Sequence, residues 1–541
     1  MSPLWRWPQA VVVFLAMVCL DSVSGEEEKA PKVSKVNVGI SVMLLGSIGF
    51  MMALFELTHC YRKTMAMYSW KAISATISIF SAVLIFQGVN GLVEAYILEG
   101  ASESTELVVV FAHMLAWFIA LQFLLAIITG VMPIKGFNPR FDNLEVMEAR
   151  LKTFAILLGH ITGFAAIHAF AVLQNQVADT ALEALAFAFL PWVVIFVAGR
   201  LTDSVRERIA LIGDNKKEKH EAMWDDETEE TEDDVVGLAV SFCFVQGVRF
   251  AIGGHLPNDE GDEPNAIEAN HTTWEAGLLV FVGVVLAAIE ILRVIYIQHA
   301  IPRLTCQLKN IIAMTFAWCL FYGTDWCLAA RLFGEQQGMT KQVSQALCVT
   351  IFAMMMIFCL EVIQDFKHVD HTIDEAIRAV INAIGILIGV AWEKAFDVAV
   401  AEATETVDLL PAQWSKLLLS VCLAGMVVPA WYRHIMPNIL LIEAEEEGKA
   451  LDVTEDLQEA HAVEQGATRS LQEPLLQSGS GSEEAKLREA CEYYQKKIAE
   501  LEKDVRRADE LQQKNAVLEE SMAGISSQLA ELQSVADKLI N

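Results

Sequence analysis

The sequence predicts an all-α protein: a polytopic transmembrane helix bundle of about 11 spans, built from repeated two-helix units and followed by a C-terminal cytoplasmic coiled coil. Three observations carry that prediction. Apolar residues make up 54% of the 541 and gather in blocks of roughly 20. That is the length needed to cross about 30 Å of hydrocarbon at 1.5 Å per residue. Basic residues crowd onto alternate connecting loops. Residues 483–541 carry apolar positions spaced by three and four.

Residues 1–25 read as a secretory signal, with Arg6 near the start, an apolar core over 10–20 and small residues at Ser24 and Gly25. Residues 26–37 form a short polar N-terminus expected on the lumenal or extracellular side. The membrane domain is expected over 38–436, with spans near 38–59, 70–97, 106–132, 151–174, 181–200, 235–254, 275–299, 309–333, 342–364, 376–402 and 413–436. Runs this long and continuous are helices rather than barrel strands.

With the N-terminus outside, the inner loops and helix ends carry 17 Lys and Arg, against three (Arg331, Lys341 and Lys416) on the outer side. This asymmetry fixes the orientation by the positive-inside rule and puts the C-terminus in the cytoplasm. The sequon at Asn270 falls on an outer loop, where N-glycosylation takes place. The protein is therefore expected in a membrane of the secretory pathway, plasma membrane or endomembrane.

Five spans that run outward share a glycine followed within five residues by a polar group: Gly88, Gly163, Gly247, Gly323 and Gly389. This suggests a two-helix unit used five times after one extra inward helix. Ionisable or polar residues inside the bilayer are costly and mark candidate sites. The candidates are Asp325, Arg249, Asn90, Glu290, Glu393 and Lys394. Asn90, Arg249 and Asp325 each follow the motif glycine by two residues, so a ring would bring them together, with Asp325 paired to Arg249. Glu290 and Arg293 are spaced to neutralise each other. His160 and His168 lie eight apart on one helical face.

The net charge of −30 is concentrated outside the apolar blocks. Residues 437–541 contribute 23 acids and 11 bases, and 221–234 contribute nine acids and no base. Nucleic acid is excluded as a partner, since it requires a basic surface. The acidic stretches 225–234 and 258–264 lack the EF-hand pattern and are expected to be solvated charge runs. The ten cysteines form no CxxC pair, and no P-loop, HExxH or GxSxG motif occurs. No catalytic, cofactor or metal site is expected, and the chain is not expected to be an enzyme.

Residues 437–482 are rich in Glu, Gln, Gly and Ser and are expected to be a flexible acidic linker. The coiled coil at 483–541 keeps Asn515 at a core position, which favours a dimer, though another coiled-coil protein would also suit the seam. The partners expected are thus the lipid bilayer and a second copy or such a protein. Two functions fit: a transporter or channel-like protein for a small ion or solute, or a non-transporting membrane scaffold whose coiled coil recruits partners. The isolated 483–541 peptide is expected to be helical and dimeric by circular dichroism and sedimentation equilibrium; an unfolded monomer would remove the oligomer prediction.

Overall fold

The computed structural model describes residues 63–132, 144–210, 217–268, 270–296, 302–333, 339–364, 371–405 and 411–444, with isolated positions between 48 and 59. The expected signal, nearly all of the first span, most of the linker and the coiled coil lie outside the described residues. Among the described residues the regular structure is entirely helical.

The helices are α1 (Lys63–Val93), α2 (Glu103–Ile128), α3 (Leu144–Val177), the short α4 (Ala181–Phe187), α5 (Phe189–Ala210), α6 (Lys219–Gly253), α7 (Thr273–Tyr296), α8 (Pro302–Leu328), α9 (Met339–Gln364), α10 (His371–Glu405) and α11 (Ala412–Ala430). Among the described residues, nine helical segments are long and apolar enough to cross a membrane. The structure thus has the helical content of a polytopic membrane protein. Helix α10 is 35 residues long and packs among them.

Local chemistry sets the helix ends. Ser102 caps α2 by accepting from the Thr105 amide, and Thr180 forms a capping box with Glu183 at the start of α4. The expected span 181–200 is broken at Ala188. Pro191 lies in the first turn of α5, where its missing N–H leaves no internal bond unmade. Gly254 ends α6 at φ +75°, the left-handed conformation glycine adopts without a Cβ clash. In α11, Pro429 is followed by a π-turn over Trp431–Ile435, after which the helix continues to Ala444, inside the region expected to be linker.

The helices form two concentric layers. α1, α3, α6, α8 and α10 each pack against the next, and α10 packs back against α1, so the five close a ring. Around it, α2 packs on α3, α5 on α6, α7 on α8, α9 on α10 and α11 on α1. The apolar windows of α3, α6 and α8 are each 78% buried, whereas those of α2, α5, α7 and α11 are 17–22% buried. The outer layer therefore exposes its apolar faces, such as Leu115, Ile119 and Phe123 on α2. The interior of the ring is filled. Ile79, Leu238, Trp318, Phe321, Ile384 and Leu387, from four of the five helices, belong to one buried cluster.

In hydrocarbon the hydrophobic effect does not drive helices together, so close packing must. The five motif glycines mark those close approaches. A Cβ at Gly88 would meet the Leu417 backbone at 3.0 Å, one at Gly247 the Leu185 amide nitrogen at 2.9 Å, and one at Gly389 the Ala75 carbonyl at 3.1 Å. At Gly163 and Gly323 the obstacles are Leu238 and Val280 side chains at 2.5 and 2.6 Å. Gly247→Ala is expected to cost about 1–3 kcal/mol by overpacking against immobile backbone. Gly277→Ala, with nothing within 4 Å, should stay within about 0.5 kcal/mol. Thermal unfolding of the purified protein in detergent measures both.

Candidate functional site

The five ring helices run in the same sense. At one end, here the lower, Lys71 near the start of α1 meets Glu443 beyond the end of α11 at 2.6 Å. At the upper end, the Trp414 indole at the start of α11 donates to the Tyr96 hydroxyl, just past the end of α1, at 3.0 Å. In the orientation read from the sequence, the upper end faces outward.

The upper end of the ring is crossed by the loop 254–272, which joins α6 to α7. Its tip is a tight turn. The Asp262 amide donates to the Asn258 side chain at 2.6 Å, and Gly261 adopts φ +83°. Gly261 is buried: a Cβ there would sit 2.3 Å from the Tyr322 hydroxyl and 2.7 Å from Gln246 Nε2. The tip is thus inserted between α6 and α8.

Four of the five acids of this loop each find a basic group on a different helix. Asp259 lies 3.3 Å from His168 Nδ1 on α3. Asp262 pairs with Lys394 on α10. Glu263 takes Arg249 Nη2 of α6 at 2.9 Å. Glu268 pairs with Lys341 at the start of α9, and Lys341 is also 3.1 Å from Asp325 of α8. The stretch expected to be a solvated charge run is therefore bound into the top of the bundle. The cause is charge balance: a buried charge is tolerated only when paired, and Arg249, Lys341 and Lys394 bring three cations to this end of the bundle.

Arg249 is the most heavily engaged. It is 2% exposed, its Nη1 donates to the Gly261 carbonyl at 2.6 Å and to Gln246 Oε1 at 2.9 Å, and its guanidinium lies 3.8 Å from the Tyr322 ring centroid. That placement adds a cation–π attraction. The second oxygen of Glu263 receives the Trp326 indole at 3.2 Å and lies 2.7 Å from His271 Nε2; His271 also stacks on Trp326 at 3.8 Å. Burial opposes ionisation of Glu263, but His271 and Arg249 outweigh it and hold its carboxyl below the ordinary 4.5. Asp259 is held low by His168, and Asp262 by Lys394 against its burial. Glu268 moves the other way: burial and the neighbouring Asp325 carboxylate outweigh Lys341 and push it up to about 8.

Five of the expected polar-site residues, Asn90, Arg249, Asp325, Glu393 and Lys394, lie towards this end. Arg249 does not pair with Asp325. Each pairs with a group outside the candidate set, Arg249 with Glu263 and Asp325 with Lys341. The reason is that the loop supplies a carboxylate with better access to the guanidinium than a side chain on α8. Glu393 is buried at 6% exposure, and Asp397 on the same helix pairs with Lys416 at 2.8 Å. Asn90 lies on α1 and donates to Glu94 of its own helix at 2.7 Å, not to Arg249 or Asp325. Glu290 is engaged by Arg293 of its own helix, whose Nε donates at 2.7 Å. Asn270 is exposed on the loop, and its amide donates to the Ala266 carbonyl. The sequence reading missed Glu263, Glu268, His271, Tyr322, Trp326 and Lys341. The available signal was arithmetic: an outer loop with acids and no Lys or Arg, beside spans holding unmatched cations.

The second acidic stretch is also not a solvated loop. It forms the first turns of α6, and Glu232 is 1% exposed. Arg206 of α5 donates to Glu232 at 2.6 Å and to Asp225 at 2.9 Å. Arg303 of α8 reaches Glu232 at 2.9 Å and Asp233 at 3.1 Å, and Gln122 of α2 donates to Glu232 at 2.8 Å. Four helices are thereby tied together at the lower end. At 35 residues, α6 is about 52 Å long, well beyond the hydrocarbon thickness, so its acidic turns need not sit at bilayer depth.

No protein family matches the sequence, and no curated protein or solved structure matches it.

The titration of Glu268 gives a test. Its folded-state value is raised, so the folded protein binds the proton more tightly than the unfolded chain. Stability from this group is therefore full below about 4.5 and declines as pH rises toward about 8. Wild-type melting temperature is expected to fall across that window, and Glu268→Gln is expected to flatten the fall. An unchanged slope would count against a shared proton among Glu268, Asp325 and Lys341.

Proposed function

We propose that this chain is a transporter or channel-like membrane protein for a small ion or solute, with the loop 254–272 as the closed plug of its outer end. The observation behind this reading is that four of the loop's five acids are bound to basic groups on four helices, α3, α6, α9 and α10. A loop that only connected α6 to α7 would have no need of such ties. They are polar and spread around the ring, so they can be exchanged for water or solute, unlike a packed apolar seam. The coiled coil would set the oligomeric state, with a dimer favoured, and the protein would reside in a secretory-pathway membrane with its N-terminus lumenal or extracellular.

A specific observation favours a second reading, a membrane scaffold. The ring interior is filled by Trp318, Phe321 and Leu387, and the charges at its upper end are largely paired. A scaffold would recruit partners through the coiled coil and pass nothing.

Ion and solute flux in proteoliposomes separates the two. Asp259→Asn with Asp262→Asn removes two partly exposed ties, worth together about 1.4 kcal/mol at most. The open population, and hence flux, is expected to rise by up to about tenfold over wild type. Absence of flux from both proteins across cations, anions and neutral solutes would transfer the assignment to the scaffold.

A further inference from the structure

Glu263 occupies a site whose principal walls belong to other elements. Arg249 comes from α6, and Tyr322 and Trp326 come from α8. Its two carboxylate oxygens are received separately, Oε1 by the guanidinium and Oε2 by the indole N–H and His271. A planar guanidinium fork with a second donor alongside is the arrangement that recognises a carboxylate. The floor is aromatic: Tyr322 lies under the guanidinium, and Phe242 and Tyr322 both approach the inserted tip at Gly261.

The donors outnumber the acceptors the loop supplies. Arg249 Nε and Gln246 Nε2 are buried without a hydrogen-bond partner, on residues 2% and 1% exposed. Gln246 Nε2 lies beside the Gly261 tip. Buried donors left unmade are costly, so an acceptor-rich occupant would improve on the loop. A cleft lined by Asn175, His255, Asn258, Asp262 and Glu263 opens beside the loop. When the loop lifts, Asp325 keeps Lys341, but Arg249 loses its carboxylate partner. The charge left to be satisfied is positive.

We propose that this pocket binds a small organic carboxylate with an apolar or aromatic body, and that Glu263 is a tethered occupant which such a solute displaces. The carboxylate of the solute takes the Arg249 and Trp326 donors, and its body lies against Tyr322. This rests on the reading of loop 254–272 as a plug, and it names the substrate class of that plug's site.

The test uses the full-length protein in detergent, with benzoate as the probe and benzylamine as its cationic counterpart. Gly261→Val keeps every charge but places side-chain atoms where Tyr322 and Gln246 already stand, so it biases the loop outward. Titration calorimetry is expected to show saturable benzoate binding at least about tenfold tighter in Gly261→Val than in wild type. It should be lost when Arg249→Gln is added, with no benzylamine binding in any protein. No saturable benzoate binding by folded Gly261→Val, or binding indifferent to Arg249→Gln, overturns the proposal. Should Gly261→Val not yield folded protein, Glu263→Gln, which keeps the side-chain volume, is judged by the same criteria. Benzoate binding of this kind in a protein that passes no flux sinks the conduit and leaves the carboxylate site. Flux without benzoate binding does the reverse.

Discussion

A guanidinium at the end of a membrane-spanning helix must be neutralised, and the upper half of this structure follows from how Arg249 achieves it. Desolvating such a charge costs several kcal/mol, recovered only by close pairing and full hydrogen bonding. Arg249 takes a carboxylate and a backbone carbonyl from a loop, not from a neighbouring helix, and its Nε is left without a partner. That choice draws the loop tip in between α6 and α8 and requires glycine at 261, where a side chain would collide with Tyr322. It also carries Asp259, Asp262 and Glu268 to within reach of three further helices.

The two ends of the bundle solve the same electrostatic problem differently. At the lower end the acids lie on a helix, α6, and their cations come from α5 and α8, so rigid elements hold one another. At the upper end the acids lie on a segment with little regular structure, so the ties can be broken one at a time. Between the ends, packing is governed by shape. The motif glycines set how closely neighbouring helices approach, and apolar side chains fill the space inside the ring.

Much of the membrane architecture was legible in the sequence. The apolar blocks locate the helices of the bundle, and the motif glycine on each ring helix marks a close helix approach. The positions that failed share a cause. Asp225, Glu232 and Asp233 form an acidic run that looks solvated until Arg206 and Arg303 are placed beside it. Glu263 and Glu268 look like loop residues until the ring brings cations to them. Composition reveals charge at a position along the chain; it does not reveal which distant charge will face it. The Arg249–Asp325 expectation fails for that reason: Glu263 and Lys341, which lie outside the motif, take the two charges.

The spacing of these partners has a consequence for how the protein is made. Asp262 precedes Lys394 by 132 residues, so the loop leaves the ribosome well before its last anchor exists. At about 5–20 residues per second that interval is on the order of ten seconds. During it the acidic loop stands beside an unfinished ring, with Asp262 still lacking its lysine. Seating of the loop then becomes a late event that reports the arrival of α10, and a chain truncated before α10 would keep a loop without that anchor.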